Sequence, residues 1–421
     1  MNFSKETTLI LFRIILPLLI ATIQVLLYRG MVRWFREQHP SRAGLRYVAT
    51  VPFVLFNLAL VYVIIFRPRT IDMPHWFVIA GAYPFFVWHG ATLFIGLIIF
   101  LSKVLMIPLR GALAIVRQFR GGRKRIVSLK ASPGYRQFDA SRRVFLRRSV
   151  YGLTALSFAG NAYGVIQEKS GVTVTGAEFT IPGLPLSLDG FTITLVSDIH
   201  SSIFMTESDM QRYVELINGL NNDLIVVPGD FVTGQVEEVY PFVSAFGNLR
   251  ARHGVFGVTG NHEYYTGDPE KVIREVDRCG IRILRNENIT IQANGGSFQL
   301  LGVDDTGTSR LAAEKIAIAT RGTSPDLPRV LLCHRPYFLS QAAEKDIQLV
   351  LSGHTHGGQI VLGHVGEMYL APASLASRYV WGRYHVGKTE MYVSRGLGTV
   401  GLPIRINCPP EITTITLRAR T

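Results

Sequence analysis

Cysteine is scarce in this chain, and acidic residues are scarce in its first third. Only Cys279, Cys333 and Cys408 occur, far apart and with no Cys-x-x-Cys pair. This excludes a zinc knuckle and a disulfide framework, and it leaves a single bridge open. Residues 1–148 hold 4 acids beside 22 Lys and Arg (net +18), whereas residues 149–421 hold 26 acids beside 22 (net −4). Because the positive charge belongs to the more apolar part of the chain, it does not favour a nucleic-acid partner.

Long apolar runs dominate the first quarter of the sequence. Residues 9–28 and 47–66 are each roughly 20 mostly apolar residues, the length that crosses about 30 Å of hydrocarbon. A third stretch, 76–107, is longer than one straight span needs and contains Pro84. It fits one tilted or kinked helix, or an interfacial segment followed by a span, and we expect a single crossing. The sequence thus predicts a three-helix transmembrane region over residues 1–107, in contact with membrane lipid.

Charge bias predicts how these helices are oriented. The loop 29–46 carries five Arg and one Glu, whereas 67–75 carries two Arg and one Asp. The segment 108–148 carries 12 Lys and Arg against Asp139 alone. Since cytoplasmic loops are enriched in Lys and Arg, we expect 29–46 and 108–148 to be cytoplasmic and 67–75 to be outside. One crossing between residues 76 and 107 satisfies both assignments.

A second topological signal lies inside the basic segment. Ser141 to Arg147 reads Ser-Arg-Arg-Val-Phe-Leu-Arg, which resembles the twin-arginine export signal Ser-Arg-Arg-x-Phe-Leu-Lys. The weakly apolar residues 149–167 follow it, either as a fourth transmembrane or signal-anchor helix or as a surface helix. The resemblance favours the fourth span and implies the twin-arginine export machinery as a partner. It would place the rest of the chain outside a bacterial cell membrane.

From residue 168 to 421 short β-rich runs alternate with helical stretches, as in an α/β domain. Five apolar runs end in polar residues that can bind metals, and glycines flank them. In open α/β sheets, sites form at the carboxyl ends of strands, so we expect these side chains to share one pocket. In chain order they are Asp198 and His200, Asp230, Asn261 and His262, His334, and His354 and His356.

The chemistry of this set favours phosphate ester hydrolysis. It offers nitrogen and oxygen donors without a thiolate, which suits Mn²⁺, Fe or Zn²⁺, and there are enough donors for two divalent ions. Two ions about 3.5 to 4 Å apart can share a hydroxide and clamp the attacking and leaving oxygens of a phosphoryl group. The pattern does not distinguish phosphate monoesters from diesters.

The blocks Asp-x-His, Gly-Asp, Gly-Asn-His-Glu, His and Gly-His-x-His, in this order, resemble the calcineurin-like metallophosphoesterases. The continuation Gly-His-Thr-His-Gly-Gly-Gln-Ile and the tail segment 392–412 resemble their YkuE-type membrane-linked bacterial branch. The resemblance covers roughly residues 175–421 and implies a four-layer sandwich of two mixed β-sheets flanked by helices. It also implies that Asp198, His200 and His356 bind one metal, that Asn261, His334 and His354 bind the other, that Asp230 bridges them, and that His262 is catalytic.

We therefore expect a membrane-anchored dimetal phosphoesterase that acts on envelope or lipid-linked phosphates outside the cytoplasm. A cytoplasmic-facing pyrophosphatase of a nucleotide-linked lipid precursor is one alternative, and a transporter with a regulatory metal-binding domain is another. Outside the motif blocks, Asp304 and Asp305 fit a turn better than a role beside the metals. Arg335 and Arg395 fit either substrate phosphate contacts or structural roles.

Overall fold

A computed structural model of the chain describes residues 15–66, 68–169, 171–307, 309–366 and 368–420. Within these ranges the chain divides into two compact units. One unit holds residues up to 68 together with 80–163, and the other holds 69–79 together with 164 onwards. The first is helical, and the second contains both β-sheets and all the predicted metal ligands.

Helices account for nearly all of the first unit. They are α1 (Leu16–Gln38), α2 (Ala43–Phe66), α3 (Tyr83–Leu105), α4 (Ile107–Gln118), α5 (Arg120–Ala131) and α6 (Pro133–Lys169), whose last turns belong to the second unit. The helical turns His75–Phe77 and Val78–Ala82 lead into α3. Within the described residues, three helical stretches are long and apolar enough to cross a membrane: Pro17–Gln38, Gly44–Phe66 and His75–Gln118. The predicted apolar helices are therefore confirmed as long and apolar enough to span a membrane. Residues 9–14 of the first predicted helix lie outside the described residues.

The basic segment 108–148, expected as a loop, is mostly helical. Pro133 lies at the first turn of α6, where its missing N–H costs nothing. Asp139 accepts hydrogen bonds from Arg142 and Arg143, three and four residues further along the same helix. The twin-arginine-like residues and 149–167 thus form one continuous helix. That helix is not among the three stretches that meet the membrane-span criterion, and a fourth crossing stays a prediction.

Two six-stranded mixed sheets form the centre of the second unit. The first has the order β1-β14-β2-β3-β4-β5, in which only the β14–β2 pair is antiparallel. The second has the order β12-β13-β9-β8-β7-β6, with antiparallel pairs at both edges. The strands of the first sheet are β1 (Thr173–Ile181), β2 (Thr192–Leu195), β3 (Leu224–Pro228), β4 (Val255–Val258), β5 (Ile281–Ile283) and β14 (Glu411–Ala419). The strands of the second sheet are β6 (Glu287–Ala293), β7 (Gly296–Gly302), β8 (Arg329–Leu332), β9 (Leu349–Ser352), β12 (Gly382–Val386) and β13 (Thr389–Val393). The short strands β10 (His364–Val365) and β11 (Met368–Tyr369) form a separate two-stranded hairpin.

Alternation along the strands builds four layers. Leu224 and Val226 of β3 belong to the core between the two sheets, whereas Ile225 and Val227 face a helical layer. That layer contains α7 (Glu207–Asn218), α8 (Val239–Phe246) and α10 (Pro269–Arg278), and the short helix α9 (Asn261–Tyr265) precedes α10. The second sheet is covered by α11 (Ser309–Ala319) and α12 (Leu339–Ala343). The expected fold, two mixed sheets flanked by helices and preceded by apolar helices, is confirmed.

Candidate metal centre

The polar residues that follow five parallel strands meet at one place. Asp198 and His200 follow β2, Asp230 follows β3, and Asn261 and His262 open α9 directly after β4. From the second sheet, His334 follows β8, and His354 and His356 follow β9. The structure brings all eight together in three overlapping groups: Asp198, His200 and His356; His200, Asp230 and His262; and Asp230, His334 and His354, with Asn261 bonded to His334.

Asp230 lies between two sets of donor atoms. Its Oδ2 is 3.4 Å from Nε2 of His200 and 3.2 Å from Nε2 of His334. On the first side, Nε2 of His200 is 3.1 Å from Nε2 of His356. On the second side, Nε2 of His334 is 3.1 Å from both Oδ1 of Asn261 and Nδ1 of His354. Within each group of His, Asp and Glu donors the ligand atoms lie within 4.8 Å of one another, as donors around a common ion do.

Backbone carbonyls orient two of the imidazoles. Nδ1 of His334 donates to the carbonyl of Pro228 at 2.9 Å, and Nδ1 of His356 donates to the carbonyl of Gly398 at 3.2 Å. With Nδ1 donating to a carbonyl, Nε2 of each ring is directed into the cluster. Both rings are therefore oriented so that Nε2 is the nitrogen that would bind a metal.

The local backbone is unusual at the same residues. Asp198, His200, Asp230, His354 and His356 have φ between 50° and 76°, in the left-handed region that non-glycine residues seldom adopt. Such conformations cost on the order of 1–3 kcal/mol each and persist where the surroundings fix them.

Two glycines permit this crowding. A Cβ on Gly260 would lie 2.1 Å from Oδ1 of Asp230, and a Cβ on Gly353 would lie 2.1 Å from Oδ2 of Asp198. Glycine is thus the residue that lets these loops approach the carboxylates closely.

Charge is tightly coupled within the cluster. Burial lowers the pKa of His354 and of His356 well below the ordinary 6.5, so both offer a lone pair at neutral pH. Burial acts on His334 in the same sense, but the Asp230 carboxylate beside it raises the pKa of His334 to about 10. Burial alone would raise the pKa of Asp230, yet His334 and His262 hold it well below its usual range. The cluster thus favours positive charge next to Asp230, the charge that a divalent cation would supply.

His262 is placed at the edge of the cluster. Its ring centre lies 4.5 Å from that of His200, and its Nδ1 hydrogen-bonds to the carbonyl of Thr233, which leaves Nε2 for a substrate oxygen. Burial lowers the pKa of His262 to about 4, against the raising effect of Asp230. Burial therefore favours the neutral imidazole.

Glu263 has a supporting role that the sequence interpretation missed. Its buried carboxylate accepts hydrogen bonds from the backbone N–H groups of Asp230, Phe231 and Gly260. It therefore ties the loop after β3 to the loop after β4. The signal was present in the sequence, because an acid three residues after the N-cap position of a short helix commonly bonds back to that position.

Asp304, Asp305, Arg335 and Arg395 also have partners that the sequence did not reveal. Asp305 forms an ion pair with Arg335 at 2.5 Å, and Nη1 of Arg335 lies 3.5 Å from Nε2 of His354, at the margin of the cluster. Asp304 pairs with Arg285 at 3.2 Å. The turn interpretation of the two acids missed these ion pairs. Arg395 is buried and pairs with Glu411 at 3.1 Å. This contact favours a structural role for Arg395 over a contact with substrate phosphate.

The donor set fits divalent cations. It is buried, it combines imidazole with carboxylate and amide oxygens, and it contains no thiolate, since the nearby Cys333 and Cys408 are not in any donor group of the described residues. All three cysteines are free thiols.

Fold and site together define a metal-dependent phosphoester hydrolase. Residues 191–358 match the family model of the calcineurin-like phosphoesterases. The chain is 32% identical over 286 residues to the uncharacterized metallophosphoesterase YkuE of Bacillus subtilis and covers 98% of that protein, with 66% of this chain aligned. The chain therefore belongs to the calcineurin-like phosphoesterase family.

Relatives with membrane segments are also similar to this chain. A transmembrane protein with metallophosphoesterase domain from Bos taurus is 33% identical over 309 residues, which are 70% of this chain and 67% of the bovine protein. The protein of the same name from Danio rerio is 33% identical over 61% of this chain and 60% of its own length. The chain thus spans about three fifths to two thirds of these vertebrate relatives. It is a membrane protein with a metallophosphoesterase domain.

Proposed function

We propose that this chain is a membrane-anchored phosphoesterase with a two-metal centre, which hydrolyses phosphate mono- or diesters outside the cytoplasm. Asp198, His200 and His356 would hold one ion, and Asn261, His334 and His354 the other. The observation that carries this most directly is the position of Asp230, whose Oδ2 is within 3.4 Å of an imidazole nitrogen of each set. A single carboxylate oxygen between two donor sets is the arrangement that a bridging ligand requires.

Divalent ions such as Mn, Fe or Zn would supply charge to stabilise the phosphoryl transition state and would lower the pKa of water to give a nucleophile at neutral pH. The protein would contribute fixed, pre-oriented donors, since His334 and His356 are already bonded through Nδ1. His262 would serve the leaving oxygen. Because burial lowers its pKa, an anionic phosphate beside it would favour the protonated form that can serve as a general acid.

The connection between the second and third apolar helices supports the proposed orientation. Arg69 lies 3.7 Å from Glu237, and the backbone N–H of Thr70 donates to Oε1 of Gln235 at 3.2 Å, so residues 69–79 belong to the same compact unit as the metal centre. The charge bias of the flanking segments favours this connection being outside the cytoplasm. The catalytic domain would then lie on the same side, which requires a further crossing after α3.

The first experiment tests the metal centre. The full chain, purified in detergent, should bind close to two Mn²⁺ or Zn²⁺ and hydrolyse p-nitrophenyl phosphate or bis-p-nitrophenyl phosphate. Asp230→Asn should lose most of the metal and the activity, because the amide offers one weak donor where a charged bridge is needed. Asp326→Asn, at an exposed loop, is the matched control. If Asp230→Asn retains both metal and turnover, the proposed centre is wrong.

The second experiment tests orientation. A reporter that is active only outside the cytoplasm is fused after Thr421, in wild type and in the double variant Arg142→Lys with Arg143→Lys. Activity in wild type that falls in the variant supports twin-arginine export and envelope phosphates as substrates. If a cytoplasmic reporter is active instead, the outward orientation is refuted, and a nucleotide-linked lipid precursor becomes the substrate to test.

A further inference from the structure

The segment 361–376, here called the apolar hairpin, presents large apolar side chains to solvent. Leu362 and Val365 are each 64% exposed, Met368 is 58% exposed and Leu375 is 94% exposed. Val365 and Met368 are directly paired across β10 and β11, and Leu370 hydrogen-bonds to both Leu362 and Gly363, so these side chains belong to one protrusion. A concentration of exposed apolar side chains on one protrusion is unusual for a surface that faces only water.

The base of the hairpin contacts loops that lie beside the metal centre in the chain. Val361 donates its backbone N–H to Ile406 at 3.0 Å, and Ala371 packs against Gly358 in the turn that carries His356. Hairpin residues, including His364 and Tyr369, line a cavity of about 460 Å³ together with Trp381 and Asn407. Tyr369 stacks on Trp381 with ring centres 5.0 Å apart. The hairpin is thus a protrusion with an aromatic base that begins a few residues after a predicted ligand.

The composition of this region matches a lipid surface. Residues 359–388 carry three Lys and Arg against one acid, besides two His, and Arg383 is paired with Glu390 just beyond them. Arg378 and Lys388 therefore give this apolar region a small excess of positive charge. Apolar side chains enter the acyl boundary, and basic side chains interact with anionic headgroups. The same chain carries three helical stretches that can cross a membrane, which keeps this domain within reach of a bilayer.

We propose that the apolar hairpin docks on the phospholipid bilayer, with Leu375, Val365 and Met368 in the lipid–water interface. This docking would bring the metal centre to phosphate esters that are carried by lipids, an inference that rests on the function proposed above. The occupant of the surface is the bilayer itself, and the substrate class is a phosphate ester in the headgroup layer.

The test of docking uses the full chain in nanodiscs of phosphatidylcholine and phosphatidylglycerol. Leu375→Cys is labelled with an environment-sensitive nitrobenzoxadiazole dye, and Leu186→Cys, which is 72% exposed elsewhere in the same domain, is the control. Both carry Cys279→Ser, because Cys279 is the one thiol of the three that is not buried. We expect blue-shifted emission and quenching by a spin-labelled lipid at position 375 and not at 186. The proposal is overturned if both positions show equal, water-like emission. It is also overturned if position 375 is protected only by contact between two copies of the chain.

A kinetic test separates docking from catalysis. The double variant Val365→Glu with Leu375→Glu should hydrolyse a soluble nitrophenyl ester at the wild-type rate, since neither residue belongs to the metal centre. Its rate on a lipid-borne phosphate ester in nanodiscs should fall by roughly tenfold or more. Leu186→Glu should change neither rate. Equal rates of the double variant and wild type on the lipid ester would refute the role in substrate presentation. If wild type hydrolyses neither ester, the proposed function fails, while the quenching result still decides docking.

Discussion

Arg405 is not a predicted metal ligand. Among the other charged side chains, we expect the metal centre to depend most on Arg405. It is fully buried, and its guanidinium donates to the carbonyls of Arg395 at 2.9 Å, Gly396 at 3.0 Å, Gly398 and Cys408 at 3.1 Å. The carbonyl of Gly398 is also the acceptor that orients His356. Arg405 therefore holds in place the loop that fixes one of the predicted ligands.

Replacement by methionine keeps an unbranched apolar side chain of similar stem and removes every donor. Each buried carbonyl left without a partner costs about 1–3 kcal/mol of stability. Some of this loss is offset, because the structure relaxes in part and because the variant no longer buries a charge. We expect Arg405→Met to lower the free energy of unfolding by roughly 3–5 kcal/mol. Because the ring of His356 is then less constrained, metal affinity should fall by about 10- to 100-fold.

The assay compares two buried arginines. Chemical unfolding of the full chain in detergent gives stability, and competition with a fluorescent chelator gives the affinity for Mn²⁺. Arg395→Met is the matched control, because Arg395 pairs with Glu411 and donates to no carbonyl that orients a predicted ligand. Both variants should lose stability, and only Arg405→Met should bind metal weakly. Equal metal affinities in the two variants would show that Arg405 supports only the fold.

Three further predictions concern single residues. His262→Ala should keep its metals and lose about 10²- to 10⁴-fold in turnover on a nitrophenyl ester, and unchanged hydrolysis would exclude its catalytic role. Gly353→Ala, whose Cβ would collide with Asp198, should lose metal by elemental analysis, whereas a fully loaded variant would refute the tight contact. Burial raises the pKa of Glu168 from 4.5 to about 7. The neutral carboxyl therefore stabilises the fold fully below about pH 4.5, and this stability is lost as the pH rises through 7. The loss should reach up to roughly 3 kcal/mol in the free energy of unfolding. Unfolding of Glu168→Gln should lack this component between pH 5 and pH 8, and an identical pH dependence in wild type and variant would contradict it.

The positions of the candidate ligands were predictable because they follow apolar runs. β2, β3, β4, β8 and β9 are largely buried, and each is a mainly apolar stretch with a polar candidate ligand within a few residues of its end. The pairing of β1 with β14 was not predictable in this way, because it joins the two ends of the domain and neither strand carries a motif. Local patterns do not encode such distant contacts.

The helical state of the basic segment and the burial of Arg405 escaped prediction for a different reason. Residues 120–131 contain few apolar side chains, so hydrophobic periodicity gives little sign that they are helical. An arginine in a glycine-rich tail reads as a surface residue, because charged side chains are almost never fully buried unless they are paired. The partners of Arg405 are the backbone carbonyls of five residues, His356, Arg395, Gly396, Gly398 and Cys408, and backbone carbonyls leave no signature in the sequence.

The strained backbone explains why these supporting contacts matter. Asp198 and His200 come from one loop, and His354 and His356 from another, and all four have left-handed φ values. A sharply reversed chain lets two ligands from one loop reach the same point, but it is unfavourable without a partner that fixes it. Glu263 and Arg405 act on the backbone rather than on a ligand side chain, through N–H groups in the first case and carbonyls in the second. Hydrogen bonds within the protein therefore hold the donor loops in position, which reduces the free energy of metal binding that is spent on ordering them.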